Sequence, residues 1–166
     1  MSVSSIASRH SLVVARRSAE RGATLNLLEL TQSQLDLLFH SAFSEFDKAY
    51  REPNGDVVAS YCVDGDPEAT WTVCIGFEVN DKSVTEVTVG QHIKISVIVE
   101  VLLIKQRARD TDEETLDSSL EFDFVVPNTL SALVRKVRTS NFVQKAIDSV
   151  DLDRSRLLNP KRRGAK

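Results

Sequence analysis

The spacing of apolar residues changes twice along the chain, and the changes divide it into three parts. In the first part Leu35, Leu38, Phe39, Ala42, Phe43, Phe46 and Tyr50 recur every three or four positions, which places them on one helical face. Thr31 followed by Gln34 makes a capping-box start, and Pro53-Asn54-Gly55 supplies the turn chemistry that ends the segment. The spacing predicts an amphipathic helix over 31–50. Its polar face offers Asp36, Glu45 and Asp47 against Lys48, a balance that suits packing on a core better than lying on a membrane.

From Asp56 the period becomes two. The segments 57–63 and 70–79 read as strands, with Trp71, Val73, Ile75, Phe77 and Val79 sharing a face, and 84–89 reads as a shorter one. The longest candidate is 93–104, where Ile93, Ile95, Val97, Val99, Val101 and Leu103 alternate with Lys94, Ser96, Ile98, Glu100, Leu102 and Ile104. At about 3.3 Å per residue it spans roughly 40 Å, which predicts a strand that reaches a neighbouring chain or bends at a bulge. The charged stretch 107–119 reads as a loop, and 120–126 as the last strand.

Pro127 and Asn128 stop the strands, after which Leu130, Leu133, Val134 and Val137 restore helical spacing. Arg135, Lys136 and Arg138 fall toward the end of that stripe, where cations suit the helix dipole. Thr139-Ser140-Asn141 breaks the pattern and Asn141 with Gln144 resembles a fresh cap, so the expectation is a kink or two helices, 129–138 and 142–150. The predicted fold class is α+β, with an N-terminal amphipathic helix, an antiparallel sheet of four to six strands, and then one kinked or two C-terminal helices. A chain of 166 residues holds one such domain.

Charge refines this picture. The formal net charge of −3 hides an asymmetry. Residues 1–28 carry Arg9, Arg16, Arg17 and Arg21 against Glu20. Residues 154–166 carry Arg154, Arg156, Lys161, Arg162, Arg163 and Lys166 and no acid. The whole chain has 21 basic and 24 acidic residues, so the body between these ends is strongly acidic, with a net charge near −12. The organisation expected is a basic arm over 1–28, a single α+β domain over 29–153 and a basic tail over 154–166. Arms of this sign suit phosphate backbones, and Arg9, Arg16, Arg17, Lys161, Arg162 and Arg163 are the candidate nucleic-acid contacts. Basic solubilising tails are the plainer alternative. The Ser-rich, Arg-bearing start also resembles an organellar leader, whereas it lacks the apolar run of a secretory signal. An intracellular or virion location is therefore expected, with no membrane span, because the most apolar stretch is interrupted by Lys94, Ser96 and Glu100.

Catalytic chemistry is sparse. Cys62 and Cys74 lie in apparent strands, too far apart for a CxxC motif, and read as small buried hydrophobes. His10, His40 and His92 have no metal-ligand spacing, and the acids Asp110, Asp112, Glu113 and Glu114 lack the central Gly and terminal Glu of a calcium loop. No phosphate loop, dinucleotide fingerprint or nucleophile elbow is present. Glu78 and Glu100 sit on strands and are candidates to pair across a sheet. No enzyme activity, cofactor or metal is expected, and the apolar helical and sheet faces together predict self-association.

The second half, carried by WTVCIGFEVND, HIKISVIVEVLLIK, RARDTDEETLDSS and LEFDFVVPNTLSALVRKV, resembles the coat proteins of single-stranded RNA bacteriophages over roughly residues 71–150. The resemblance implies a sheet followed by two helices, an interlocked dimer, and a shell of dimers around RNA. The chain departs from that family in a helical rather than hairpin start and in acids such as Glu100 on the sheet, so no RNA contact is carried over to the sheet. The order of strands and helices is also similar to that of SecB-type export chaperones, which are oligomers that bind unfolded chains. A third reading is an acidic decoy or adaptor that binds basic proteins through the body.

Overall fold

The computed structural model of the chain describes residues 22–40, 42–43, 46–63, 66–106, 109 and 111–150. The elements, in order, are β1 (Thr24–Asn26), a single 3-10 turn (Leu27–Glu29), α1 (Gln32–Phe39), β2 (Tyr50–Arg51), β3 (Val57–Val63), β4 (Asp66–Val79), β5 (Lys82–Ser83), β6 (Glu86–Thr88), β7 (His92–Gln106), β8 (Thr111–Val125), α2 (Leu130–Thr139) and α3 (Phe142–Ser149). The fold is α+β. Its six-stranded antiparallel sheet runs β2-β3-β4-β7-β8 with β5 added to β4, while β1 and β6 make a separate two-stranded ribbon.

Period-two patterning gives the sheet one apolar face. Val57, Ala59 and Tyr61 on β3, Trp71, Val73, Ile75 and Phe77 on β4, and Ile93, Ile95, Val97, Val99 and Val101 on β7 are all buried. The helices cover that face with Leu35, Leu38 and Phe39 from α1, Leu133 and Val137 from α2, and Phe142, Val143, Ala146 and Ile147 from α3. Burial of each of these larger side chains contributes about 1.5–3 kcal/mol relative to exposure.

Several expectations are corrected. The helix expected over 31–50 begins as foreseen, since Thr31 and Gln34 form a complete capping box, but it ends at Phe39. Beyond it the chain folds back on α1. The Ala49 N–H donates to Asp36 Oδ1 at 3.1 Å, the Asp47 N–H bonds Ser60 at 3.0 Å, and Tyr50–Arg51 joins β3 as a strand. Phe43 and Phe46 keep their place on the core without helical backbone, with the Phe43 ring 3.6 Å from that of Tyr61. Apolar spacing here records which side chains face inward, and the sheet ladder wins the backbone.

The strand expected over 84–89 is shortened to β6, and the two-residue β5 lies just before it. Asn80 and Asp81, both at positive φ (52° and 59°), make the two-residue turn between β4 and β5, a conformation that Asn and Asp tolerate. The charged stretch 107–119 is mostly strand, because β8 begins at Thr111 and pairs with β7 from Gln106↔Thr111 to His92↔Val125 without a register shift. Thr115, Asp117 and Ser119 are exposed while Leu116, Ser118 and Leu120 are half-buried, a period of two that the density of acids conceals. The long strand β7 is therefore one arm of a hairpin, and the register shift that does occur lies between Cys62 and Val63 on β3. The C-terminal region forms two helices. Thr129 caps α2 through Ala132 N–H at 3.1 Å, but Asn141 is left-handed (φ 55°) and makes no side-chain cap, so the Asn141–Gln144 box does not form.

Candidate functional site

Besides the short edge at β2, two larger surfaces of the sheet lack a partner among the described residues: the outer edge of β8 and the face turned away from the helices. β8 pairs with β7 over its whole length and has no strand on its other side. At about 3.4 Å per residue this edge runs roughly 50 Å. Alternate N–H and C=O groups along it point outward, a template for another strand. At its end the Val125 carbonyl accepts a hydrogen bond from Lys136 Nζ at 3.0 Å.

The helix side of this edge is apolar. Leu116, Leu120 and Phe122 stay half-buried, although the residues opposite them on β7 (Val101, Val97 and Ile95) are fully buried. Lys136 Nζ sits 4.7 Å from the Phe124 ring centroid and Lys145 Nζ 6.0 Å from that of Phe122. Proline, charged side chains and bulges are the usual means of blunting an edge; the sequence from Thr111 to Val125 has no Pro, Lys or Arg and its register with β7 is unbroken, so its acids are the only such device it carries.

The helix-free face is acidic. Its cross-strand rows bring together Thr72, Glu100 and Asp117, then Cys74, Ile98 and Ser119, then Gly76, Ser96 and Glu121, then Glu78, Lys94 and Asp123. Glu100 lies directly opposite Asp117, a like-charge pair that opposes binding of a polyanion. Lys94 lies 2.9 Å from Asp81 Oδ1 and 3.0 Å from Glu121 Oε2, and hydrogen bonds to these carboxylates raise its pKa above the ordinary lysine range. Glu78 and Glu100 are not brought together: Glu78 faces Lys94, and Glu100 is six residues further along β7.

Cys74 lies on this face and is half-buried rather than fully buried, which corrects the reading from its strand alone. Burial first, then the negative charges of Asp56 and Glu52, push its thiol pKa up to about 11, so it remains a protonated, unreactive thiol near neutral pH. Cys62 lies in β3 opposite Thr70. His40 ends α1 and His92 starts β7, both exposed. Among the described residues no three His, Cys, Asp or Glu side chains come together to hold a metal ion, and no helix is long and apolar enough to cross a membrane.

The nucleic-acid candidates Arg9, Arg16, Arg17, Lys161, Arg162 and Arg163, with His10, lie outside the described residues. The β8 edge is not among the residues that sequence reasoning chose. Its signal was the spacing of Leu116, Leu120, Phe122 and Phe124, which extends the last strand backward through the acids. Comparison with protein-family models, curated proteins and solved structures found no match, so the functional reading rests on this geometry.

Proposed function

We propose that the chain is a non-enzymatic, self-assembling structural protein of the viral coat type. Two copies pair along β8 to make one continuous sheet, and the dimers assemble further around single-stranded RNA. The observation that carries this reading is the long edge of β8, unbroken by proline or bulge and flanked by half-buried Leu116, Leu120 and Phe122. A second copy supplies both things the edge lacks, strand hydrogen bonds and apolar cover. A symmetric pair also leaves no free β8 edge for a third chain, the outer ends of the joint sheet being the short β2 of each copy.

RNA phosphates are assigned to the basic ends, through Arg9, Arg16, Arg17, Lys161, Arg162 and Arg163, because the helix-free face carries Glu78, Glu100, Asp117, Glu121 and Asp123 and repels a polyanion. Repulsion from the body is screened within about 8 Å at physiological salt, so arms reach phosphates that the body does not touch. The test is electron microscopy of the purified full chain together with recovery of nuclease-protected RNA. Closed particles holding protected RNA support the reading, and a monodisperse small species without RNA contradicts it. Binding of the full chain to single-stranded RNA should fall with salt at a log-log slope of roughly −0.7 per phosphate neutralised. Removing 1–22 and 161–166 should abolish that binding while leaving the fold intact.

A further inference from the structure

On the outer side of the helix layer, α1 and α2 lie alongside each other and leave a groove of about 500 Å³ between them. At one end Gln34 Nε2 donates to Ser131 Oγ at 3.1 Å, so these two polar groups satisfy each other. Along the groove lie Leu37, exposed at 37% although it is a large apolar side chain, and the buried Val134. Arg135 and Arg138 line the other part, with Ser131 and both arginines on one stripe of α2 that runs about 10 Å.

Among the described residues these two guanidiniums lack the partners that arginines usually find. Among the described residues neither has a carboxylate within ion-pair distance, and no acid lines the groove. Nor are they occupied at the C-terminus of α2. There the Lys136 carbonyl accepts from Ser140 N–H, Ser140 Oγ and Thr139 Oγ1, and the Arg138 carbonyl from the Asn141 N–H. On a body that is otherwise strongly acidic, this is a cationic site over an apolar floor. Its volume falls in the range of small-molecule sites, and a paired guanidinium fork matches a carboxylate geometrically.

We propose that the groove binds a single-chain amphiphile with an anionic head group, its alkyl chain along Leu37 and Val134 and its carboxylate between Arg135 and Arg138. The inference is independent of the assembly reading, because it involves neither the β8 edge nor the basic ends.

Isothermal titration of the full chain with dodecanoate, below the concentration at which it forms micelles, tests it. One saturable site per chain is expected. Dodecyltrimethylammonium, with the same alkyl chain and the opposite charge, should bind about tenfold more weakly or not at all, as should dodecyl maltoside. The Arg135→Gln/Arg138→Gln double variant should lose about tenfold or more in affinity for dodecanoate, the scale of a lost charge-assisted hydrogen bond. Leu37→Asp, at an exposed position, should lose a similar factor and serves if the double variant does not fold. The proposal is overturned if the three amphiphiles bind equally, if neither folded variant changes the affinity, or if no saturable binding occurs. Measuring particle mass in the same samples keeps this outcome separate from that of self-assembly.

Discussion

The rings of Phe122 on β8 and Phe142 at the start of α3 stack with centroids 4.3 Å apart and planes 14° from parallel. Phe124 meets the same Phe142 ring edge-on at 6.3 Å, and the Ser118 and Ser149 hydroxyls are 2.7 Å apart at the other end of α3. Together these contacts hold α3 over β8 and set how much of the strand's apolar row stays open beside the free edge. Phe142→Ala should cost about 3–5 kcal/mol of folding stability in urea titrations, and Phe122→Ala less, since Phe122 is half-buried. A double-mutant cycle should return a coupling of about 0.5–1.5 kcal/mol. Zero coupling would show that the stack contributes only area.

Gly76 marks a close approach on the opposite face. A Cβ at this position would lie 2.7 Å from Ser96 Oγ and 3.2 Å from Asp56 Oδ1, and Ser96 is itself buried. Gly76→Ala should therefore destabilise the protein by about 1–3 kcal/mol through overpacking. Adding Ser96→Ala should recover most of that loss in the same thermal or urea measurement, and no recovery would place the strain in the backbone instead.

Tyr61 and Trp71 are cross-strand neighbours in the core, and among the described residues neither the Tyr61 hydroxyl nor the Trp71 Nε1 has a hydrogen-bond partner. Burial pushes the Tyr61 pKa far above the ordinary phenol range. Because the hydroxyl is desolvated without compensation, Tyr61→Phe should be neutral or stabilising by up to about 1 kcal/mol. A loss well beyond that, read from the urea midpoint, would mean that the hydroxyl is satisfied in solution.

The raised pKa of Cys74 has a direct readout. With the pKa near 11, alkylation of Cys74 by iodoacetamide on a Cys62→Ser background should run about a hundredfold slower at pH 8 than for an open cysteine, and should climb with pH toward 11. Asp56→Asn removes one of the two charges that add to burial and should move the profile to lower pH. A rate that levels off below pH 9 would contradict the assigned environment. The sign for stability is the same: the unfolded thiol releases its proton first, so this group weakens folding as pH rises above about 9.

How much of this was legible depends on which force sets each feature. Strands β3, β4 and β7 and the two C-terminal helices follow from apolar period, because burial on one face imposes that period directly. The α1 start follows from the Thr31–Gln34 box, a local device visible in four residues. The end of α1 was not legible, because Phe43 and Phe46 keep helical spacing while the backbone near Tyr50 belongs to the sheet through Val58. Most of β8 was hidden for a related reason. Acids at 112–114 and 117 read as loop composition, and only pairing with β7 makes them strand positions. The β8 edge and the α1–α2 groove arise from elements distant in sequence, and a single sequence places neither.

Edge pairing carries an electrostatic signature. A second β8 set antiparallel beside the first brings two rows that contain Asp117, Glu121 and Asp123 onto the same side of the joint sheet, with no basic residue between them. Like charges this close resist association and are screened by salt. Raising ionic strength from low salt to about the physiological range should therefore tighten the protein–protein association while it weakens RNA binding. Sedimentation velocity of RNA-free protein checks the first half, and an association that loosens with salt would point to opposite-charge contacts elsewhere.

The molar mass of the RNA-free full chain by light scattering, measured at micromolar concentration, tests self-association most directly. Pairing along β8 predicts a mass of at least two chains of 18.5 kDa each, rising toward larger particles as dimers join. A constant mass of one chain across that concentration range would contradict the account, and would leave the β8 edge as an unpaired feature of a monomer.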